Sequence, residues 1–311
     1  MKQWYIAGIL LSAIMLLAFH SEEPLTRAKL GEQLFFDPIL SGNSTISCAS
    51  CHKPQFAFAD TTAFSKGIHD QLTKRNTPSI TNQRGRPSFF WDGRSASLEE
   101  QAKQPIISAG EMGLPIEDAV TRLNADSAYV RAFRKLFNSV PTEKNLLSAL
   151  AAYERTLETA NSPYDRYISG DDQAISPEAA RGRLLFIGKA NCSNCHSGED
   201  FTADRFKNIG LYNGTTLTDA GRFEVTWDSA QLGFFKVPGL RNVAVTAPYM
   251  HNGMFKTLRE VIEYYNKPDA IVDNGIRRDL SLNTPLNLTD TEINELEAFL
   301  KTLTDDRFIN Q

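Results

Sequence analysis

The chain has 311 residues, of which 41% are hydrophobic and 23% are charged, and its formal net charge at pH 7 is −4. This length is sufficient for two domains, and the ordinary composition excludes a chain that is disordered over most of its length. The negative net charge argues against a nucleic-acid partner.

The N-terminus is predicted to be a targeting segment. Lys2 supplies a positive charge, and the segment 4–19 that follows is almost wholly apolar. This segment is short for a membrane helix but suits the apolar region of an export signal. Ala18 suits the end of a signal peptide, whereas Leu16 is not the small residue expected two positions earlier, so an uncleaved anchor stays open. We therefore expect residues 1–21 to be a signal peptide or N-terminal anchor, and the protein to be periplasmic.

Two runs along the chain, 48–52 and 192–196, have the pattern C-x-x-C-H, which is the attachment signature of c-type haem. They use all four cysteines and two of the five histidines. A zinc site or disulfides would use the same cysteines, but neither requires histidine directly after the second cysteine. The sequence therefore predicts two covalently bound haems c, attached through Cys48, Cys51, Cys192 and Cys195 and ligated by His52 and His196.

The rest of the chain is predicted to form helices joined by long loops. The pattern G-x-x-L-F occurs at 31–35 and again at 182–186, each time near the end of a helix that precedes a haem motif. Ser176 is the expected N-cap of the second such helix, with Pro177 in its first turn. Another helix is expected over residues 142–159. The aromatic and aliphatic residues at these helix ends are expected to line the haem pockets: Phe35, Phe36, Leu185 and Phe186.

The final helix has a clear start, because Thr289 and Glu292 form a capping-box pattern. Its apolar face is expected to comprise Ile293, Leu296, Phe299, Leu300 and Leu303. The predicted fold class is mainly α, with two cytochrome c-like haem domains and long loops. The expected domains are residues 22–165, which carry the first haem, and residues 166–311, which carry the second.

The remaining axial ligands decide the functional class. Each haem iron has two axial positions, of which the motif histidines take one. An electron carrier needs both positions filled, whereas a peroxidase needs one iron open. Outside the targeting segment, the remaining candidates are a tyrosine or one of His69, His251, Met112, Met250 and Met254.

Several ordered runs resemble a known family. They include 30–36, Arg75-Asn76-Thr77-Pro78-Ser79, Phe90-Trp91-Asp92-Gly93-Arg94, Glu100-Gln101-Ala102, Glu111-Met112, 219–223, 240–244 and 248–253. The chain resembles the bacterial dihaem cytochrome c peroxidases, a family that includes the dihaem enzyme that matures methylamine dehydrogenase. The resemblance implies a peroxidatic N-terminal haem and a C-terminal haem that receives electrons.

The resemblance also implies roles for individual residues. Trp91 matches the tryptophan between the haems, and Gln101 and Glu111 match distal residues near the peroxidatic iron. A carboxylate such as Glu111 can move protons between the oxygens of peroxide, and Gln101 can donate a hydrogen bond.

An inter-domain calcium ion is also implied by the resemblance. Its ligands match Asn76 and the carbonyl groups of Thr246 and Pro248, and oxygen ligands of this type suit calcium.

The chain departs from the family pattern at both distal positions. Ile68 occupies the place of a histidine that caps the N-terminal haem in some members, and His69 follows it. We expect an open N-terminal iron, with ligation by His69 as the alternative. Tyr265 occupies the place of the methionine ligand of the C-terminal haem, with Met250 or Met254 as alternatives. His251 is expected to contact the haem rather than to ligate it.

The predicted function is reduction of hydrogen peroxide with electrons from a small c-type cytochrome or similar donor. One alternative is a dihaem oxidase of the same fold that uses high-valent iron to oxidise a protein or organic substrate. A second, of another class, is a non-catalytic dihaem electron carrier. A homodimer is possible by resemblance to the family.

Overall fold

The computed structural model describes residues 24–309, which form a mainly helical chain. The helices are α1 (Arg27–Phe36), α2 (Cys48–Cys51), α3 (Leu98–Ile107), α4 (Ile116–Ala125), α5 (Ser127–Phe137), α6 (Glu143–Glu154), α7 (Pro163–Ile168), α8 (Pro177–Ile187), α9 (Phe223–Thr226), α10 (Leu258–Asn266) and α11 (Asp290–Lys301). Two short antiparallel strands, β1 (Phe206–Lys207) and β2 (Phe235–Lys236), pair with Phe206 opposite Lys236. The predicted targeting segment, residues 1–21, lies outside the described residues.

Each half of the chain is built around one helix crossing. A Cβ atom on Gly31 of α1 would lie 1.9 Å from the carbonyl oxygen of Ala149 in α6. A Cβ on Gly182 of α8 would lie 1.8 Å from the carbonyl oxygen of Glu295 in α11. Each helix pair therefore meets where only glycine fits. The G-x-x-L-F pattern thus marks a repeated helix crossing, and the mainly helical fold with two cytochrome c-like domains is confirmed.

The two crossings are packed by equivalent aromatic side chains. In the N-terminal half, the ring of Phe35 lies 5.2 Å from that of Tyr153, and in the C-terminal half Phe186 lies 5.2 Å from Phe299. The pocket-wall expectation does not hold for Phe36, which is 44% exposed and lines a surface groove. Its neighbour Phe35 takes the core position, because successive residues of a helix point in different directions.

Two predicted helix N-caps are confirmed. Ser176 accepts a hydrogen bond from the backbone N–H of Ala179, and Thr289 and Glu292 form the reciprocal capping box. The helix predicted over 142–159 is shorter than expected, because α6 ends at Glu154. Beyond it the chain leaves the helical path, and the backbone N–H of Thr159 donates to the side-chain oxygen of Asn82 at 3.1 Å.

Two main apolar cores lie one in each half. The first joins α1 and α3–α6, and the second joins α8, α10 and α11. Polar contacts connect the halves, including the Arg86 guanidinium, which pairs with Asp200 and Asp204 at 2.6 and 2.7 Å. Within residues 24–309, none of the helices combines the length and apolar character needed to cross a bilayer.

Candidate active site

The two motif histidines are held in the same way. The Nδ1 atom of His52 lies 2.9 Å from the carbonyl oxygen of Phe58, and that of His196 lies 3.0 Å from the carbonyl oxygen of Phe201. A ring whose Nδ1 donates to a carbonyl keeps Nε2 free as a metal ligand. Burial lowers the pKa of both histidines, which favours the neutral form that binds iron.

The cysteines are arranged for covalent attachment. All four are free thiols in half-buried positions. Each motif folds as a single turn. The backbone N–H of His52 donates to the carbonyl oxygen of Cys48, and that of His196 donates to the carbonyl oxygen of Cys192, both at 2.9 Å. This turn brings both cysteines of a motif and its histidine close together.

A cavity of about 320 Å³ lies against the second motif. Cys192, Cys195 and His196 line it, together with apolar side chains that include Phe186, Leu258, Ile262, Leu296 and Leu300. Free thiols, an available imidazole nitrogen and apolar walls are what a thioether-bound haem requires. The residues present therefore fit the haem that the motif implies.

Tyr265 lies on α10 and lines the same cavity as His196. Burial raises the pKa of its phenol. Met250 also lines the cavity, whereas Met254 is not among its lining residues and packs in a small apolar cluster that Met250 and Tyr265 also join. The structure thus brings Tyr265 and Met250, but not Met254, to the haem side.

Glu111 and Ile68 are neighbours on the N-terminal side. The backbone N–H of Ile68 donates to the carbonyl oxygen of Glu111 at 2.8 Å, and the Ile68 side chain is buried over Gly113. His69, with a φ of 57°, is exposed instead. Of these two adjacent residues, Ile68 is therefore the one packed into the loop, and the His69 side chain faces solvent.

The carboxylate of Glu111 lies close to the first haem motif. The negative charges of Asp60 and Glu111 both act on the Cys51 side chain of this motif. Burial raises the pKa of Glu111 itself, against the opposing charge of Arg94. Gln101 is half-buried on α3.

Trp91 connects the two halves of the chain. Its indole Nε1–H donates to the carbonyl oxygen of Asn76 at 2.9 Å, and its own carbonyl accepts from the backbone N–H of Lys236 at 2.7 Å. Trp91 and Asn76 line the cavity that also contains His196. The tryptophan is therefore anchored beside the C-terminal haem motif by contacts from both halves.

His251 is buried at the edge of this cavity. Its ring stacks on Phe235 with centroids 3.8 Å apart, and its Nε2 atom lies 3.9 Å from a carboxylate oxygen of Asp219. Burial lowers the pKa of His251 to about 4, although the charge of Asp219 opposes this. The ring is therefore neutral near pH 7 and is packed in a polar corner of the cavity.

The predicted calcium ligands also line the cavity, namely Asn76, Thr246 and Pro248. The side-chain amide nitrogen of Asn76 donates to the carbonyl of Thr62 at 3.1 Å, which leaves its amide oxygen for another partner. The structure thus places these three residues around one space, and amide and carbonyl oxygens suit calcium.

Sequence reasoning missed the ionic cluster around Arg75. Its guanidinium donates to both carboxylate oxygens of Asp219 at 2.7 Å, to Asp92, and to Glu224 at 3.2 Å. Arg75 and Asp92 belong to the first half and Asp219 and Glu224 to the second, so the cluster joins them beside Trp91. The carbonyl partners of the motif histidines were also missed, because backbone groups leave no signal in the sequence.

Comparisons with known proteins agree with this arrangement. A family model for di-haem cytochrome c peroxidase matches residues 26–173, and a cytochrome c model matches residues 179–304. The chain is 39% identical over 286 residues to the methylamine utilization protein MauG of Methylorubrum extorquens, covering 90% of this chain and 79% of that protein. It is 35% identical over 283 residues to the cytochrome c551 peroxidase of Nitrosomonas europaea, with 90% and 80% covered.

A solved structure has the same fold. The crystal structure of a MauG-like protein associated with microbial copper homeostasis superposes with a TM-score of 0.83 at 33% identity, covering 92% of this chain and 93% of that chain. Together with the two haem motifs, this similarity establishes the relationship. The chain belongs to the di-haem cytochrome c peroxidase family, which includes the MauG proteins, and is an oxidoreductase with two c-type haems.

Proposed function

We propose that this protein is an exported peroxidase that reduces hydrogen peroxide to water with electrons from a small c-type cytochrome. The observation that carries this proposal is the backbone hydrogen bond that joins Ile68 to Glu111, whose charge acts on Cys51 of the first haem motif. A carboxylate there can move protons, and an aliphatic neighbour leaves the iron open to peroxide. The exposed position of His69 supports an open iron as well.

The bound haem at His52 would supply an iron that accepts peroxide and exchanges electrons. Glu111 takes the proton of peroxide as a general base and returns it to the leaving oxygen as a general acid. Burial raises its pKa, so the protonated form is easier to reach than for an exposed carboxylate, which suits the return of the proton. Gln101 orients the peroxide with a hydrogen bond from its amide group.

Electrons are proposed to arrive at the C-terminal haem and to pass the region of Trp91. The hydrogen bonds to Asn76 and from Lys236 support this, because they hold the indole at the junction of the two halves. A fixed aromatic ring keeps a constant separation from its redox partners. The division into domains 22–165 and 166–311 is part of the same proposal.

The function is tested by peroxide turnover with a reduced small c-type cytochrome and by the spectrum of the resting ferric protein. We expect turnover, together with a high-spin signal from one of the two haems. A wholly low-spin spectrum without turnover would instead identify a non-catalytic electron carrier.

A second candidate is an oxidase that uses the peroxide-treated haems to oxidise a protein or organic substrate. Tyr265 favours it, because a tyrosinate ligand would lower the reduction potential of the C-terminal haem. We predict that Tyr265→Phe shifts the spectrum of that haem, whereas the neighbouring change Tyr264→Phe does not. An unchanged spectrum in Tyr265→Phe would reject the ligand assignment and favour Met250.

Calcium is proposed to bind Asn76, Thr246 and Pro248. We predict that a chelator slows electron transfer between the haems and that added calcium restores it, because the ion would hold the wall of the cavity next to Trp91. A calcium content of zero in the active purified protein would reject the site.

Periplasmic location and a homodimer are likewise proposed from the sequence, and size-exclusion chromatography with light scattering tests the dimer.

A further inference from the structure

A surface groove of about 510 Å³ lies between α1 and α5, outside the site described above. Its lining residues are Gln33, Phe36, Asp37, Ala128, Tyr129 and Ala132. The Tyr129 hydroxyl donates to one carboxylate oxygen of Asp37 at 2.6 Å. The other carboxylate oxygen accepts from the backbone N–H of Ile39 at 2.8 Å. The carboxylate is therefore held in place as the partner of a phenol that borders an apolar groove.

Tyr129 and Asp37 together are suited to one-electron oxidation of the phenol. Burial raises the pKa of Tyr129, and the adjacent carboxylate of Asp37 adds to the rise, so the phenol keeps its proton at neutral pH. A protonated phenol must lose that proton when it loses an electron. Asp37 already accepts its hydrogen bond and can receive the proton without any rearrangement.

Aromatic rings connect this groove to the first haem motif. The ring of Phe35 lies 6.4 Å from that of His52 and 5.2 Å from that of Tyr153. The ring of Tyr153 lies 6.4 Å from that of Phe36, which lines the groove with Tyr129. Tyr153 is thus an oxidisable residue between the motif histidine and the groove.

The C-terminal half shows that packing alone does not require this tyrosine. Phe299 takes the equivalent position there, at the same ring separation from Phe186 as Tyr153 has from Phe35. The helix crossing therefore accepts an aromatic ring without a hydroxyl group. The hydroxyl of Tyr153 occurs only in the half whose haem is proposed to react with peroxide.

We propose that this groove is a second substrate site, where Tyr129 and Asp37 mediate one-electron oxidation of small phenols. The site rests on the proposed function, because peroxide at the N-terminal haem is its oxidant. An electron leaves Tyr129 for the oxidised haem by way of Tyr153, and the phenolic proton moves to Asp37. The bound phenol then gives a hydrogen atom to the Tyr129 radical and leaves as a phenoxyl radical, while Asp37 releases its proton. Two phenols are oxidised for each peroxide reduced to two waters.

The groove suits such a substrate. Phe36 is 44% exposed and offers an aromatic face, and Ala128 and Ala132 leave room beside it. Aromatic rings pack favourably against one another in offset or edge-to-face arrangements. The amide of Gln33 supplies a polar group at the rim.

The test uses the holoenzyme, with hydrogen peroxide, a nitroso spin trap and guaiacol as the phenol. Mass spectrometry of the trapped protein is expected to find the adduct on Tyr129, and Tyr129→Phe should abolish it. Guaiacol oxidation should fall about tenfold or more in Tyr129→Phe and in Asp37→Asn, because the radical site or its proton acceptor is lost. Tyr153→Phe, which copies the C-terminal half, should reduce the adduct. Tyr167→Phe is the matched control and should change neither reading.

The haem spectrum after peroxide separates the possible failures. A normal spectral change in wild type without an adduct on Tyr129, or guaiacol oxidation unaffected by Tyr129→Phe, would reject the second site alone. No spectral change with peroxide would reject the proposed peroxidase function and this site with it. An unchanged peroxide reaction in Tyr129→Phe, Asp37→Asn and Tyr153→Phe, with loss of the adduct in Tyr129→Phe, supports the proposal.

Discussion

Glu111 and the two motif histidines show how backbone contacts prepare individual residues for chemistry. The Nδ1 atoms of His52 and His196 each lie against a carbonyl oxygen, so the fold of the chain itself leaves Nε2 as the ring nitrogen available to iron. Glu111 is attached through its own carbonyl to Ile68 and has a raised pKa because it is buried. The histidine contacts form within a local loop, since each carbonyl partner lies five or six residues further along the chain, whereas the contact of Glu111 with Ile68 needs the tertiary fold.

Glu111→Gln tests the proton transfer. We expect the rate of the peroxide reaction to fall about 100-fold or more, because the amide cannot accept the proton. In wild type the rate should fall as the pH drops through the pKa of Glu111, which lies above the ordinary value of 4.5, because only the carboxylate acts as a base. The variant should lose this limb of the pH profile. The measurement is stopped-flow absorbance of the haem.

Glu117→Gln is the control for this prediction, since Glu117 is an exposed carboxylate on α4. It should retain both the rate and the pH profile. A Glu111→Gln variant with the wild-type profile would assign the proton transfer to another group.

At the scale of secondary-structure elements, the same helix pair is used twice. The crossings of α1 with α6 and of α8 with α11 both depend on a glycine that lets the helices approach closely. The haem motif follows each first helix, so the crossing positions the turn that carries the cysteines and histidine.

Gly182→Ala tests the crossing. The added methyl group would lie 1.8 Å from the carbonyl oxygen of Glu295, so α8 and α11 must separate. We expect the free energy of unfolding to fall by about 1–3 kcal/mol or more. Gly110→Ala is the control, because its nearest new contact is 3.7 Å away, and it should raise the stability by at most about 1 kcal/mol. Urea unfolding of the haem-loaded protein measures both, and equal stabilities would contradict the predicted close contact.

At the scale of the whole molecule, the polar interface joins the two haem-binding halves. Arg75 holds Asp219 and Asp92 from opposite sides of the junction, and Trp91 lies in the same region. Although burial opposes it, hydrogen bonds from Arg75 hold the pKa of Asp219 below its ordinary value of 3.8. The cluster thus contributes stability that is present above pH 3.8 and is lost as the pH falls through the lower pKa of the folded state.

Arg75→Ala tests this interface. Removing the guanidinium leaves the half-buried Asp219 carboxylate without its arginine, whereas Asp92 keeps its pair with Arg94 at 2.9 Å. We expect the free energy of unfolding to fall by about 3 kcal/mol at neutral pH. The variant should lose less stability on acidification than wild type, because the pKa of Asp219 returns toward its ordinary value. Lys66→Ala is the control, since its pair with Asp70 is exposed and should contribute little. A variant as stable as wild type at pH 7 would show that the cluster does not stabilise the junction.

The sequence by itself determined the cofactor class, the mainly helical fold and the helix starts, because these depend on local patterns. The C-x-x-C-H runs, the Thr289 capping box and the repeated glycines are each complete within a few residues. The end of α6 at Glu154 was not predictable, since a contact between Thr159 and the distant Asn82 determines the path beyond it.

Only the tertiary structure decided which groups meet. It places Tyr265 with His196, Ile68 with Glu111, and Tyr129 with Asp37, pairs that are separated by 43 residues or more in the sequence. Burial then raises the pKa of Glu111, Tyr129 and Tyr265, and burial exists only once the chain is packed.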